Sequence, residues 1–228
     1  GCCGTTPEFI GELSSWDGIL NKIVLDTETD NGEQTGHVQR HGFLYDENGE
    51  RKQKKLIAVE LAPPFDADDE KLLESAHLLK NAGVDVLTFP DSPSGRTRVD
   101  SVLMASKVRQ ATGLNVMPHI CCRDKNMIAH RSQLLGMQMN GLRHALIVTG
   151  DPIARGDRES IKSVFNFNSI KLMKYIQTMN QEVFGSRPIY YGGALNHYNG
   201  SIYNIAGRKG QKSVMAILPE RSSSGKEQ

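Results

Sequence analysis

Residues 141–157 read GLRHALIVTGDPIARGD, in which the apolar run Ala145–Val148 ends abruptly at Thr149, Gly150 and Asp151. A run of four to eight apolar residues bounded by Gly and Pro is typical of a strand that is covered on both faces. In α/β folds, ligands bind in the loops just past the C-terminal ends of such strands. Taken alone, the stretch is also explained by an ordinary β-to-α turn in which Asp151 accepts hydrogen bonds from backbone N–H groups.

The same pattern recurs four more times along the chain, with helical periodicity between the apolar runs. It predicts strands at 56–61, 84–89, 115–119, 145–149 and 188–193, and helices at about 66–81, 99–112, 124–139 and 168–184. Short strands that alternate with helices indicate right-handed βαβ units and a parallel sheet.

An open doubly wound sheet and a (β/α)8 barrel both satisfy this alternation. No G-x-G-x-x-G follows the first strand, which removes the best support for a dinucleotide-binding sheet. Barrel enzymes build their sites from several strand ends on one face. Each predicted strand here ends in a polar or glycine-bearing group: Glu60, Thr88 with Asp91, His119, Thr149-Gly150-Asp151 and Gly192–Asn196. The sequence therefore predicts an α/β fold and favours a (β/α)8 TIM barrel over the open sheet. Because a whole barrel takes roughly 250 residues, such a barrel would be truncated to about five βα units.

Composition excludes several classes of protein. The 228 residues hold 27 Lys and Arg against 26 Asp and Glu, so no nucleic-acid partner is expected. No apolar run approaches the roughly 18 residues of a membrane span, and no signal peptide is recognisable. The four cysteines form two adjacent pairs, Cys2-Cys3 and Cys121-Cys122, which do not resemble a secreted disulfide framework. We expect a cytoplasmic protein without membrane contact.

The regions flanking the predicted barrel differ from it in composition. The chain does not begin with Met and opens on GCCGTTP, so we expect a piece of a longer protein. Residues 1–20 also contain a short amphipathic stretch. Residues 21–55 are mostly polar and predict a flexible linker. The regular alternation of strands and helices spans 56–198, and residues 199–228 form a tail rich in Lys, Arg, Ser and Gly.

Glu60 is the strongest candidate for chemistry, because a carboxyl group inside an apolar strand is partly desolvated and suits a general acid. An ion pair with a neighbouring Arg or Lys is the alternative. His119 alone is more often a core residue than a base, and Cys121-Cys122 are interpreted as packing. Arg96 and Arg98 could contact a phosphate, with a solvated loop as the alternative. No Lys ends a strand, which argues against a Schiff-base aldolase. Together, the Glu, His, Asp and Gly residues at the strand ends fit a site that binds a cofactor through backbone groups and supplies one proton.

Five short motifs, taken in order, resemble the methylenetetrahydrofolate reductase family of flavoprotein (β/α)8 barrels. They are AVELAPP at 58–64, VLTF at 86–89, Pro118-His119, TGDP at 149–152 and GGALN at 192–196. The resemblance covers Leu56 to Asn196. It implies FAD-dependent reduction of 5,10-methylenetetrahydrofolate to 5-methyltetrahydrofolate with NAD(P)H. The alternatives are a non-catalytic truncated barrel and a phosphate-binding barrel without a redox role.

The resemblance also implies roles for individual residues. Glu60 matches the family's proton donor to folate, and Asp151 matches the carboxylate beneath the flavin and near the pterin. Asn168 begins a helix near the flavin's phosphate side. Further positions match residues that line the flavin or nicotinamide site: Thr88, Phe89, His119, Thr149, Gly150 and Asn196. Phe89 stands where some members have Tyr, and Thr149 where some have Arg.

The first residues, Gly1–Pro7, resemble the last metal-ligand motif of zinc-dependent homocysteine S-methyltransferases, in which adjacent cysteines bind zinc. This implies that Cys2 and Cys3 are zinc ligands and that 1–20 ends a methyltransferase barrel. The parent would be bifunctional, homo-oligomeric, and act on folate and homocysteine. After Asn196 the family pattern stops, through either a reading-frame slip or a genuine divergent tail. We expect the piece itself to be inactive.

Overall fold

The computed structural model describes residues 43–46, 48, 50, 52–153, 155–196 and 213–217, with backbone only at 155, 195, 196 and 213–217. These residues belong to one compact unit, 40–218. The predicted methyltransferase end at 1–20, most of the predicted linker and most of the tail lie outside the described residues.

All five predicted strands and all four predicted helices are present. The strands are β1 Ala58–Glu60, β2 Val86–Phe89, β3 Asn115–Cys121, β4 His144–Val148, β5 Tyr190–Asn196 and a further β6 Ser213–Ile217. The helices are α1 Glu70–Asn81, α2 Ser101–Thr112, α3 Met127–Met139 and α4 Ser169–Met179, with short 3₁₀ turns at Pro93–Gly95 and Arg155–Asp157 and a π turn at Asn180–Phe184. Helix α1 begins four residues later than predicted because the carboxylates of Asp66 and Asp68 accept backbone N–H groups in the preceding loop.

The strands pair in chain order, β1-β2-β3-β4-β5-β6, and the first five are parallel. Each strand lies beside the one before it, as in the wall of a (β/α)8 barrel, whereas a doubly wound sheet reverses its strand order at a switch point. β6 pairs with β5 antiparallel, so it does not continue the parallel series. The α/β fold with a parallel five-stranded sheet is thus established, and closure into a barrel stays a prediction.

The two faces of the sheet have different neighbours. One face, here called the helix face, is fully buried against α1–α4 and consists of Leu87, Phe89, Val116, Ile120, Ala145 and Ile147. The alternate residues form the inner face: Glu60, Val86, Thr88, Met117, His119 and Leu146. Because all four helices contribute buried residues to the core on the helix face, the inner face is left for a ligand or for the interior of a barrel.

Phe43 covers the inner face toward the N-terminal ends of the strands. Its side chain is 5% exposed and packs with Val86, Met117 and Leu146. Its ring lies 4.7 Å from the ring of His144, at the N-terminal end of β4. Phe43, which lies within the predicted linker, is therefore packed against the sheet, as expected of a large apolar side chain.

The short strand β1 is held in register by Asp85. The Asp85 carboxylate accepts the Ile57 N–H at 2.9 Å and the Lys54 Nζ at 2.5 Å, and the Asp85 N–H donates to the Ile57 carbonyl at 3.0 Å. The hydrogen bond from Lys54 lowers the pKa of Asp85. These contacts align Glu60 with Thr88 of the next strand.

Candidate functional site

Three predicted site residues meet at the C-terminal edge of the inner face. Glu60 ends β1, Thr88 is paired with it on β2, and His119 lies near the end of β3. The Glu60 Oε2 and His119 Nε2 atoms are 3.8 Å apart. The inner face therefore brings an acid and an imidazole from two non-adjacent strands into contact.

Burial favours the neutral form of both groups. It raises the pKa of Glu60, whose side chain is 31% exposed. It lowers the pKa of His119 to about 4, so this imidazole is neutral at pH 7. The contact is consequently not an ion pair, and no Arg or Lys neutralises Glu60 within the described residues. A carboxyl group with a raised pKa is the type of group that can deliver a proton near neutrality.

Thr88 and Phe89 lie on opposite faces of β2. Thr88 is 4% exposed on the inner face, and none of the hydrogen bonds among the described residues uses its hydroxyl. Phe89 is fully buried on the helix face. The structure therefore brings the Thr88 side chain to the Glu60–His119 pair but not that of Phe89, which can reach a ligand only through its backbone. The alternation of side chains along a strand is the reason.

Thr149 and Asn168 hold the N-terminal end of α4. The Thr149 Oγ1 accepts the Ser169 N–H at 3.2 Å and lies 3.1 Å from the Ser169 Oγ. Asn168 is the N-cap of α4, and its Oδ1 accepts the Lys171 N–H at 2.9 Å. Both predicted cofactor residues thus have a visible capping role, which leaves other N–H groups of the α4 N-terminus available to an anion.

Gly150 occupies a position that no other residue fits. Its φ is +98°, and a Cβ built there would lie 2.2 Å from the Cys121 Sγ and 3.1 Å from the Arg123 Cβ. Cys121 and Cys122 are free and buried, and burial raises the pKa of both thiols, that of Cys122 to about 12. They pack at the strand end, as interpreted from sequence.

Asp151 joins two loops. Its Oδ2 accepts the Ser94 N–H at 2.7 Å, so the carboxylate links the loop after β4 to the loop after β2. The bonded N–H belongs to another βα unit, so this contact differs from the simple turn considered above. Arg98 is engaged structurally: its Nη1 donates to the Pro63 carbonyl at 2.6 Å, and its guanidinium stacks 3.7 Å above the Phe65 ring.

Arg123, Lys125 and the full role of Asp91 were missed from sequence. The Asp91 Oδ2 accepts the Cys121 N–H at 3.1 Å and the Lys125 Nζ at 2.8 Å. Arg123 is only 2% exposed. A cleft of about 230 Å³ beside it is lined by Ser92, Thr97, Ile153 and Lys162, among others. In sequence, Arg123-Asp124 reads as an ordinary surface pair, so only the loop packing shows its burial.

Neither a metal site nor a membrane helix is visible in the described part of the chain. No group of three His, Cys, Asp or Glu side chains there could hold a metal ion. Cys2 and Cys3 lie outside that part, as does the side chain of Asn196. None of the described helices is both long enough and apolar enough to cross a membrane.

A comparison with protein-family models matched residues 46–191 to methylenetetrahydrofolate reductase, which is well over half of the 228 residues. The chain belongs to the methylenetetrahydrofolate reductase family. The match includes β1–β4, the start of β5, Glu60, Asp151 and Asn168, whereas Asn196 lies beyond it. No curated protein matches the chain. Membership of the methylenetetrahydrofolate reductase family makes this a reductase-like protein of the oxidoreductase class, with folate as the implied substrate.

The buried histidines should make stability depend on pH. Burial lowers the pKa of His119, His130 and His144 to about 4 from an ordinary value of 6.5. The unfolded chain therefore takes up protons that the folded chain resists, and the free energy of unfolding should fall as pH drops from about 6.5 to about 4. A gap of this size corresponds to up to about 3 kcal/mol for one fully buried histidine.

Urea unfolding between pH 7 and pH 4.5 checks this expectation. Neither ring nitrogen of His130 has a hydrogen-bond partner, and the residue is fully buried, so His130→Leu should flatten the pH dependence. His77→Leu is the control because His77 is exposed on α1. If the free energy of unfolding depends equally on pH in wild type and His130→Leu, then His130 does not contribute to that dependence.

Proposed function

We propose that this domain reduces 5,10-methylenetetrahydrofolate to 5-methyltetrahydrofolate, with FAD as cofactor and NAD(P)H as the source of hydride. The contact between Glu60 and the neutral His119 carries the proposal, because it places a carboxyl group of raised pKa at the strand ends of a family member.

The protein's own task in this reaction is a proton and its placement. The methylene bridge of folate must first open to an iminium ion, which requires a proton on the departing nitrogen. Glu60 is the group proposed to give that proton as the carbon–nitrogen bond breaks. The iminium carbon then accepts hydride and becomes the methyl group. Because His119 is neutral, it adds no positive charge that would favour loss of the proton from the Glu60 carboxyl group.

The inner face and its loops suit a flavin. An uncharged, partly buried surface with the Thr88 hydroxyl and the His119 ring fits a polar aromatic ring system. The N-terminus of α4, where the Thr149 and Asn168 side chains accept backbone N–H groups, suits phosphate groups. Asp151 is proposed to lie beside the flavin and the pterin. When bound, FAD supplies the transfer of hydride from nicotinamide to folate.

A second activity in the parent protein is proposed from the first residues. The adjacent Cys2 and Cys3, in a Gly1–Pro7 stretch similar to a zinc ligand motif, support a homocysteine S-methyltransferase upstream of the reductase. The methyl group made by one domain would then be moved to homocysteine by the other. Two cysteines are fewer than the three protein ligands a zinc site needs, so tightly bound zinc in the 228-residue chain would count against this arrangement.

Titration of the chain with FAD tests the proposed function. We expect saturable binding, seen as a shift in flavin absorbance and loss of free-flavin fluorescence, and no comparable binding of inorganic phosphate. A barrel that only binds phosphate would give the reverse, and a non-catalytic barrel would bind neither. Absence of flavin binding in both this chain and a longer protein that contains it would refute the proposal.

A further inference from the structure

The Arg123 side chain bonds two loops besides its own. Its Nη1 donates to the Asp151 carbonyl at 3.0 Å, in the loop after β4. Its Nη2 donates to the Ser92 carbonyl at 3.2 Å, in the loop after β2. Arg123 itself follows β3, so one buried guanidinium connects the loops of three consecutive βα units.

The backbone of Arg123 extends the same network. Its carbonyl accepts the N–H groups of Val164 and Phe165 at 2.8 and 3.2 Å. Phe165 has φ +40°, a strained conformation that persists only where its surroundings fix it. The second half of the long β4–α4 connection is thus also attached to Arg123, and both ends of this connection depend on one residue.

The charge of Arg123 is balanced locally. Asp124 accepts from its Nε at 2.8 Å and from its Nη2 at 2.7 Å, a two-point pairing. The neutralised guanidinium can therefore be buried and still use its remaining N–H groups on the two carbonyls. Only the planar fork of arginine reaches three acceptors in fixed directions, and lysine would have to give up most of them.

We infer that Arg123 is a positioning residue for Asp151: it fixes the backbone of Asp151 while Ser94 fixes the carboxylate, and together they set where that carboxylate lies in the site. The inference rests on the proposed function, because Asp151 is there taken to act beside the flavin. Arg123 contacts neither reacting atoms nor cofactor in this scheme and acts through the loop.

Limited trypsin digestion of the chain without flavin tests, independently of the proposed function, whether the Arg123 side chain holds the loops together. Arg123→Met should speed cleavage at Arg158 and Lys162, in the β4–α4 connection, by about tenfold, the factor expected for losing one charge-assisted interaction. Arg143→Met is the matched control. Arg143 bonds the Pro188 carbonyl through its Nε and lies at the opposite ends of the strands. Equal acceleration in both variants, or none in Arg123→Met, would show that the Arg123 side chain does not hold the loops and would overturn the inference.

A mutant cycle on the flavin reduction potential tests the action through Asp151. Asp151→Asn removes a negative charge beside the flavin and should raise the potential. Arg123→Lys keeps the positive charge beside Asp124 but not the fork that holds Asp151, so it should shift the potential in the same direction. In the Asp151→Asn background, Arg123→Lys should cause little further shift. Additive shifts would overturn the inference, as would no shift in Arg123→Lys. If neither this chain nor a longer protein that contains it binds flavin, the proposed function is refuted and the digestion result still stands.

Discussion

Glu60→Gln should reduce the rate of folate reduction by about 10²–10⁴-fold, the usual effect of removing a positioned general acid. Glutamine is nearly isosteric and keeps the inner face intact, but it cannot give a proton to the folate nitrogen. Reduction of bound flavin by NAD(P)H needs no such proton and should be nearly unchanged. Stopped-flow measurement of the two half-reactions, in the protein that contains this sequence, separates the two effects.

The pH profile and a control variant sharpen this experiment. Burial raises the pKa of Glu60, so the wild-type folate half-reaction should slow as pH rises through that pKa, and the Glu60→Gln rate should not follow the same curve. Glu159→Gln removes a charge from an exposed glutamate in the loop after β4 and should leave both half-reactions unchanged. Equal losses in both half-reactions for Glu60→Gln would mean that Glu60 has a structural role only.

Gly150→Ala should destabilise the chain by about 2–5 kcal/mol. About 1–2 kcal/mol is expected from the left-handed backbone at φ +98°. About 1–3 kcal/mol more comes from overpacking, since the new Cβ would lie 2.2 Å from the Cys121 Sγ. Because the distortion falls at the loop between Thr149 and Asp151, flavin affinity should fall as well. Urea unfolding and FAD titration measure the two effects.

Two companion variants separate strain from overlap. Gly83 also has a positive φ, +83°, but a Cβ there would meet nothing within 4 Å, so Gly83→Ala should cost only about 1 kcal/mol. In the double variant Gly150→Ala with Cys121→Ala, the clashing sulfur is absent, and the total loss should be smaller than the sum of the single losses. Strict additivity would show that the contact with Cys121 is unimportant.

The strands and helices could be predicted from the sequence because the signals for them are local. Runs such as Ala145–Val148 are apolar, short and bounded by turn residues, and all five predicted strands exist. Boundaries were less accurate where side chains compete with the backbone, as at the aspartates before α1. The burial of Phe43 was missed because a single aromatic residue in a polar stretch gives no periodic signal.

Within the site, residues at strand ends were predictable and contacts between loops were not. The alternation of side chains explains why Glu60, Thr88 and His119 share the inner face, and the same rule turns Phe89 away from it. Arg123 could not be found from sequence because its importance comes from carbonyl groups of two distant loops, which have no sequence signature.

The brevity of β1 limits how this domain can change in evolution. The strand has three residues, and its pairing is fixed just upstream by the Asp85 contacts with Ile57 and Lys54. An insertion or deletion of one residue between Ile57 and Glu60 would turn the acid toward the helices and put an apolar neighbour in its place, since side chains alternate with a period of two. Length variation among relatives should therefore gather in the loops and be absent from these four positions, however freely their individual apolar residues are exchanged.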